Sequence, residues 1–289
     1  MKVLSLFDGM SCGQIALKKL GVTVESYYAS EVDKFAMKVT QENFPGTIQV
    51  GDVTKIAFSG GVLTTEKGDF DVGHFDLVIG GSPCQSISTL GDQSGLQGKS
   101  SLFYHWLRVR DEVNPLHWLL ENVVGSKSAI DTITQVVGGN RYNINSALLT
   151  GQKRNRYYWT NIEGISIPRD REISLENILE GGIPPDSLLS PGRLRWLEGE
   201  GGKKTLEKRY ASLDPYKASC LTARSDASWN SNYVTRGGVV TKLTPIEYER
   251  LQTVPDNYTS CVSNSQRYKM LGNGWTVDVI AHILKNIGG

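Results

Sequence analysis

Three short stretches of this sequence carry side chains suited to covalent and acid–base chemistry. The first is Gly80-Gly81-Ser82-Pro83-Cys84-Gln85-Ser86, directly after the apolar run Phe75–Ile79. A cysteine just past the end of a parallel strand lies over the ligand crevice, where a thiolate can act as a nucleophile. Gly91, Gly95 and Gly98 follow in a polar stretch that reads as a loop able to close over a substrate. The second is Glu121-Asn122-Val123, which ends the apolar run Trp118-Leu119-Leu120; partial burial there suits a carboxyl to proton donation near neutral pH. The third is Gln152-Lys153-Arg154-Asn155-Arg156, whose two arginines alternate along an extended segment and point to one face, toward a phosphate or a base carbonyl. Each stretch also has a plainer reading: a cysteine that is a small buried hydrophobe, a helix cap at Glu121 or Asn122, a solvated edge at the arginines.

A second group of residues has the form of a nucleoside pocket. Phe7-Asp8-Gly9-Met10-Ser11-Cys12-Gly13 follows the apolar run Val3–Leu6 and opens a helix, so backbone N–H groups can approach a ligand at the helix start. Glu31 ends the next apolar run, about twenty residues further on, where an acid can accept from ribose hydroxyls. Asp52, in Val50-Gly51-Asp52-Val53, is placed to accept from an adenine amino group. Alone, these are a βα turn and two caps; in register on three successive strands they point to a dinucleotide or S-adenosylmethionine, and the segment does not choose between them.

The elements that would position these residues alternate. Strands are expected at Val3–Leu6, Val24–Ala29, Thr47–Val50, Phe75–Ile79, His117–Leu120 and Arg156–Thr160, with helices at Gly13–Leu20, Asp33–Asn43 and Leu102–Val109. Such spacing implies βαβ units and an α/β, mostly parallel sheet covered on both faces. Between Ile162 and Val240 the pattern dissolves into Pro- and Gly-punctuated sequence, and helices return at Pro245–Gln252 and Trp275–Ile287. A loop-rich insertion thus divides one α/β domain. With 289 residues, 39% hydrophobic content and a formal net charge of +1, the chain can bury a substantial core but carries no basic coat, so any affinity for phosphate must come from local arrangement. Four cysteines without a Cys-x-x-Cys pair argue against a disulfide framework or structural zinc. The short apolar start and the lack of a long apolar stretch lead us to expect an intracellular protein without signal peptide or membrane span.

The ordered blocks FDGMSCG, SEVD, GDV, GGSPCQS, ENVV, QKRNR, RLQTVP and GNGWTV resemble the DNA cytosine-5 methyltransferases from end to end. Their wording is most similar to the de novo branch of the animal enzymes, although a compact chain without appended domains suits a prokaryotic or phage enzyme in a bacterial cytoplasm. The resemblance implies a Rossmann-like S-adenosylmethionine-dependent methyltransferase fold, with residues 1–161 and 243–289 catalytic and 162–242 a small target recognition region. It implies that Cys84 attacks cytosine C6, that Glu121 holds N3 and the exocyclic amine, that Arg156 contacts O2, and that Arg154 steadies the nucleophile's surroundings. For the cofactor it implies Phe7 stacking on adenine; Asp8, Gly9, Met10, Ser11 and Cys12 as the loop; Glu31 and Val32 at the ribose; Asp52 and Val53 framing the adenine; Ser82 beside the nucleophile; and Asn273, Gly274 and Trp275 closing the methionine side. Two blocks depart from the common pattern: Met10-Ser11-Cys12 precedes Gly13 where the usual spacing is F-x-G-x-G, and the last block reads GNGW.

Double-stranded DNA is then the expected partner, a cognate restriction endonuclease a further one, and base flipping is required because the target atoms are inaccessible in a stacked duplex. Within the insertion, Arg193, Arg195, Lys203, Lys204, Lys208 and Arg209 form a basic run diluted by Glu198, Glu200 and Glu207, suited to phosphate anchoring. Arg224, Asn230, Asn232 and Arg236 lie in a polar stretch suited to groove contacts. Three other readings compete. An RNA-acting relative would carry a Cys-Phe-Thr signature in the insertion, which this sequence lacks. A catalytically dead DNA-binding regulator would lose Cys84 or Glu121, and a nicotinamide oxidoreductase would explain only the glycine turn.

Overall fold

The computed structural model describes residues 1–83, 101–207, 212–225 and 231–287; Cys84, the glycine-bearing stretch 86–100, Lys208, Arg209 and Asn230 lie outside the described residues. The chain divides into two compact units, one of Met1–Ile144, Asn155–Ile167 and Val279–Gly289, the other of Asn145–Arg154 and Pro168–Asp278.

The first unit opens with β1 (Lys2–Leu6), α1 (Cys12–Lys19), β2 (Ser26–Ser30), α2 (Lys34–Asn43) and the short β3 (Ile48–Gln49). Four of the five residues in β1 and in β2 are buried without alternation, as expected of strands covered on both faces. Asp33 starts α2 by accepting from the amides of Phe35 and Ala36, and the helix ends at Asn43, two residues before Pro45. An antiparallel meander follows, β4 (Ala57–Ser59), β5 (Val62–Thr65) and β6 (Gly68–Asp71). Then come β7 (Leu77–Gly80), α3 (Ser101–Val113), β8 (His117–Val123), α4 (Lys127–Val137), β9 (Asn140–Asn145) and β10 (Asn155–Thr160). The seven-stranded sheet runs β3-β2-β1-β7-β8-β10-β9. Pairings from β3 to β8 are parallel and β10 is antiparallel to β8. Strand order therefore reverses between β1 and β7, and in open α/β sheets the crevice at such a reversal is where ligands bind. Leu4, Val78, Trp106, Leu120 and Trp159 belong to the buried cluster that packs helices onto this sheet.

The second unit contains α5 (Pro191–Glu198), α6 (Glu200–Glu207), β11 (Ser212–Leu213), β12 (Asn232–Arg236), β13 (Val239–Lys242), α7 (Pro245–Leu251) and α8 (Asn264–Asn273) among its loops. Gly237 and Gly238, both at positive φ, join β12 and β13 through a two-residue turn that glycine makes accessible. Leu189 and Tyr233 form a small core with Leu194, Leu197, Leu206 and Val240. Helix α7 starts with a reciprocal capping box between Thr244 and Glu247. The closing helix α9 (Val277–Leu284) begins in the second unit and gives its remaining residues to the first. No helix among the described residues is long and apolar enough to cross a membrane.

Candidate active site

Parallel register fixes which residues share the carboxyl edge of the sheet. Leu6 lies opposite Ser30 and Gly80, and Gly80 opposite Leu120. The next residues along these strands are Phe7, Glu31, Gly81 and Glu121. The start of the cofactor-type loop, the ribose-type acid, the turn leading to Cys84 and the candidate proton donor thus share one row across the sheet.

The loop after β1 is conformationally unusual. Phe7, Gly9 and Ser11 all adopt the left-handed region, with φ of 58°, 60° and 61°; for the two non-glycine residues this costs roughly 1–2 kcal/mol each. Hydrogen bonds hold it there: Asp8 N donates to Ser30 O (3.1 Å) and Ser11 N to Asp8 O (3.1 Å). Gly9 N donates to Glu31 Oε2 (2.7 Å), while Glu31 Oε1 accepts from Val32 N (2.7 Å) and Asp33 N (2.8 Å). A carboxylate offers about four acceptor directions, so Glu31 is oriented by three amides and Oε2 retains capacity for a hydroxyl. Val32 beside it is 72% exposed, an apolar surface next to an acceptor, which is the acceptor and contact set a ribose with its base requires. Asp52 accepts from Thr54 N (2.8 Å) and so caps the turn Val53–Lys55. Met10, Cys12 and Val53 are buried, contributing packing at the loop's underside. Gly13 is required by close approach: a Cβ there would meet Ile79 and stand 2.9 Å from the Tyr27 hydroxyl.

Asp8 faces inward. Its Oδ1 accepts from the Tyr27 hydroxyl (2.8 Å) and its Oδ2 from the Ser11 hydroxyl. Burial pushes this carboxyl up to about 6, against the lowering effect of hydrogen bonds from Ser11, Ser5 and Tyr27 and with a smaller upward push from Glu31.

At the other end of the row, β8 and β10 place Glu121 and Arg156 together. Arg156 pairs with Val123 and Tyr158 with Glu121, so Arg156 and Glu121 share a face two residues apart in register. Arg156 Nε lies 3.0 Å from Glu121 Oε1, both side chains mostly buried. Asn122, which sequence reasoning treated only as a possible cap, reaches the opposite way: its Nδ2 donates to Ser82 Oγ (3.2 Å) and Ser82 O (3.4 Å). Buried Ser82, two residues before Cys84, is thereby tied to the strand that carries Glu121. The local signal was an amide next to the acid; its target, forty residues away, was not legible.

In the second unit, Arg154 is 4% exposed and its guanidinium serves backbone. Nη1 donates to Leu221 O (3.0 Å), Gly272 O (3.3 Å) and the Cys220 thiol (3.5 Å), and Nη2 to Gly274 O (2.9 Å). These contacts brace the Gly272–Trp275 turn; Cys84, whose surroundings Arg154 is expected to steady, lies outside the described residues. Gln252 adds donations to Leu271 O (2.7 Å) and Gly274 O (3.1 Å). Asn273 at the turn is exposed and Trp275 half-buried. Two residues expected to contact a groove are instead interior. Asn232 exchanges hydrogen bonds with the Ser219 backbone, and Arg236 meets both carboxylate oxygens of Glu247 at 2.7 Å; burying either polar group demands such a partner. Arg195, Lys203, Lys204 and Arg224 are exposed.

A reversed-order, mostly parallel sheet with an acid-gripped glycine loop after its first strand is consistent with the fold of the S-adenosylmethionine-dependent α/β methyltransferases. The family model for C-5 cytosine-specific DNA methylases matches residues 1–163 and 127–289, and the chain belongs to that family. It is 27% identical over 317 residues to the type II methyltransferase M1.ScrFI of Lactococcus lactis subsp. cremoris, covering 99% of this chain and 77% of that one. It is 26% identical over 329 residues to the type II methyltransferase M.HhaI of Haemophilus parahaemolyticus, covering 100% and 94%. The fold is shared with the methyltransferase EhMeth of Entamoeba histolytica (TM-score 0.79, 15% identity, 99% and 97% covered) and with S. pombe Dnmt2 (TM-score 0.72, 18% identity, 99% and 98% covered). The protein is thus an enzyme that methylates cytosine C5 in DNA with S-adenosylmethionine as donor.

Proposed function

We propose that this enzyme acts on a cytosine extruded from duplex DNA, with Cys84 as covalent nucleophile and Glu121 and Arg156 as the groups that receive the base. The observation that carries the reading is the Glu121–Arg156 pair at 3.0 Å, on the same strand-end row as the turn leading to Cys84. A carboxyl and a guanidinium side by side match the edge of cytosine: acceptor and proton donor for the amine and N3, donor for O2. Cytosine C5 is a weak nucleophile until the ring's aromaticity is broken. Addition of the Cys84 thiolate at C6 does this, splitting one hard step into easier ones, while Glu121 supplies a proton or strong hydrogen bond as charge builds on N3. When bound, S-adenosylmethionine supplies an electrophilic methyl carbon. Loss of the C5 proton and expulsion of Cys84 from C6 restore the aromatic ring and the free thiolate.

Phe7, the backbone of the loop 8–12, Glu31 with Val32, Asp52 with Val53, and Ser82 hold the cofactor in this reading, with Asn273, Gly274 and Trp275 on its methionine side. Residues 162–242 form the target recognition region, and the exposed cations of α5 and α6 anchor phosphates. A bacterial cytoplasm, alone or beside a cognate restriction endonuclease, is the setting we infer.

The test replaces Cys84 with serine. Methyl transfer to duplex DNA is expected to vanish while equilibrium binding of S-adenosylmethionine persists; full transfer by the variant would falsify the assigned nucleophile. DNA carrying 5-fluorocytosine at the target should trap a denaturation-resistant adduct with the unaltered enzyme, and greater turnover on tRNA than on duplex DNA would overturn the substrate.

A further inference from the structure

We infer that Asp8 is a positioning residue rather than a cofactor ligand: its carboxyl, through Ser11 and Tyr27, holds the left-handed turns that set the path of the loop's backbone. This rests on the cofactor reading of residues 7–12 and adds how that loop is kept in shape. Both carboxylate oxygens are engaged by interior groups, Oδ1 by the Tyr27 hydroxyl at 2.8 Å and Oδ2 by the Ser11 hydroxyl. Tyr27 is 2% and Ser11 0% exposed. The net continues outward from Ser11. Its Oγ is met by Thr40 Oγ1 of α2 (3.2 Å) and by Gln14 Nε2 of α1 (3.2 Å); Gln14 also reaches Thr47 Oγ1 (2.7 Å), and Thr40 Oγ1 lies 3.4 Å from Gly9 O. Strand β2, helices α1 and α2 and the segment after α2 therefore all pin the same six residues. Left-handed conformations of non-glycine residues such as Phe7 and Ser11 persist only where surroundings over-determine them, and this net does so.

The direction of its hydrogen bonds depends on charge. An ionised carboxylate only accepts, so the hydroxyls of Tyr27, Ser11 and Ser5 all turn toward it, leaving Ser11 Oγ able to accept from Thr40 and Gln14. A protonated Asp8 would have to donate at one of these contacts and reverse it. The other titratable groups facing this cluster are Glu31, Tyr27 itself and, against Tyr27, Cys12; burial pushes the Tyr27 phenol upward, so it remains a donor throughout. With the Asp8 carboxyl held up to about 6, cofactor affinity is expected to decline as pH falls through that value.

The test measures equilibrium binding of S-adenosylmethionine and of S-adenosylhomocysteine to the full chain by calorimetry, for the unaltered protein, Asp8→Asn, Tyr27→Phe and the double variant. Asp8→Asn and Tyr27→Phe should each weaken binding about tenfold or more, the scale of a lost charge-assisted hydrogen bond. The double variant should be no worse than the weaker single one, because the two act through one net. The unaltered protein should lose affinity between pH 7.5 and 5.5 and Asp8→Asn should not. If Tyr27→Phe binds like the unaltered protein, the inference fails, whether Asp8→Asn is impaired (a direct contact from Asp8) or not. Were Asp8→Asn unable to fold, Tyr27→Phe alone would decide. An unaltered chain that bound neither ligand would overturn the cofactor reading and this inference together.

Discussion

Glu121 and Arg156 meet across neighbouring strands at 3.0 Å, so under the proposed mechanism an incoming base enters an existing ion pair. Arg156 holds the acid in place, and the acid holds Arg156 extended along the sheet edge. Replacing Glu121 by glutamine keeps shape and removes the exchangeable proton; single-turnover transfer should fall by about 10²–10⁴, the usual scale of a general acid, with cofactor affinity unchanged. A variant that retained full rate would remove Glu121 from the chemistry. Asp8 raises a different issue at this scale. A carboxyl whose folded-state value is raised from 3.8 to about 6 binds its proton more tightly in the native than in the unfolded chain. The stability this proton confers is full below pH 3.8 and is lost as pH rises through 6, a change of about 3 kcal/mol. Asp8→Asn should therefore melt higher than the unaltered protein at pH 7.5, and most of the difference should close by pH 4.5; denaturation at the two values checks it. The loop is thus held in its ligand-ready form at a cost to the fold.

At the scale of elements, α1 lies against the sheet because Gly13 has no side chain. A Cβ would contact Ile79 and the Tyr27 hydroxyl that serves Asp8. Gly13→Val is expected to destabilise by roughly 1–3 kcal/mol through overpacking and to weaken cofactor binding at the same time, measurable by urea denaturation and calorimetry. Much of this level was readable in advance. Strands β1, β2, β7 and β10 were legible as short apolar runs, and α2 as an amphipathic segment opened by Asp33. What escaped had physical reasons. Strand β9 reads NRYNIN, with only Ile144 buried, so a sheet-edge strand looks like polar loop. The meander of β4 to β6 is made of three- and four-residue strands, too short for alternation to register. Helices α5 and α6 are eight residues each with glycines at their junction, and their leucines pack against Leu189 and Tyr233. Site residues that act through local motifs were visible. The acceptors of Asn122 and Arg154 were not, because those bonds span 40 to 120 residues of sequence.

For the whole molecule, a net charge of +1 means that attraction to DNA is local. If the exposed Arg195, Lys203 and Lys204 each neutralise a phosphate, replacing all three by alanine should reduce the slope of log affinity against log salt by roughly 3. Filter-binding titrations over a salt series give that slope directly, and an unchanged one would place the phosphate contacts elsewhere.

The two compact units are interleaved along the chain, with boundaries at 144/145, 154/155, 167/168 and 278/279. This governs how such an enzyme can acquire a new target sequence. Recombination that exchanged a whole unit would need several simultaneous crossovers, one of them inside a helix, whereas an exchange confined to the stretch between α5 and β13 needs only two; it leaves Gln252 with Leu271 and Gly274 and Arg154 with Gly272 and Gly274, and the incoming stretch must restore the Leu221 and Cys220 acceptors of Arg154. With residues 162–242 as the proposed target recognition region, grafts cut inside those limits should yield soluble hybrids where grafts cut at the unit boundaries do not.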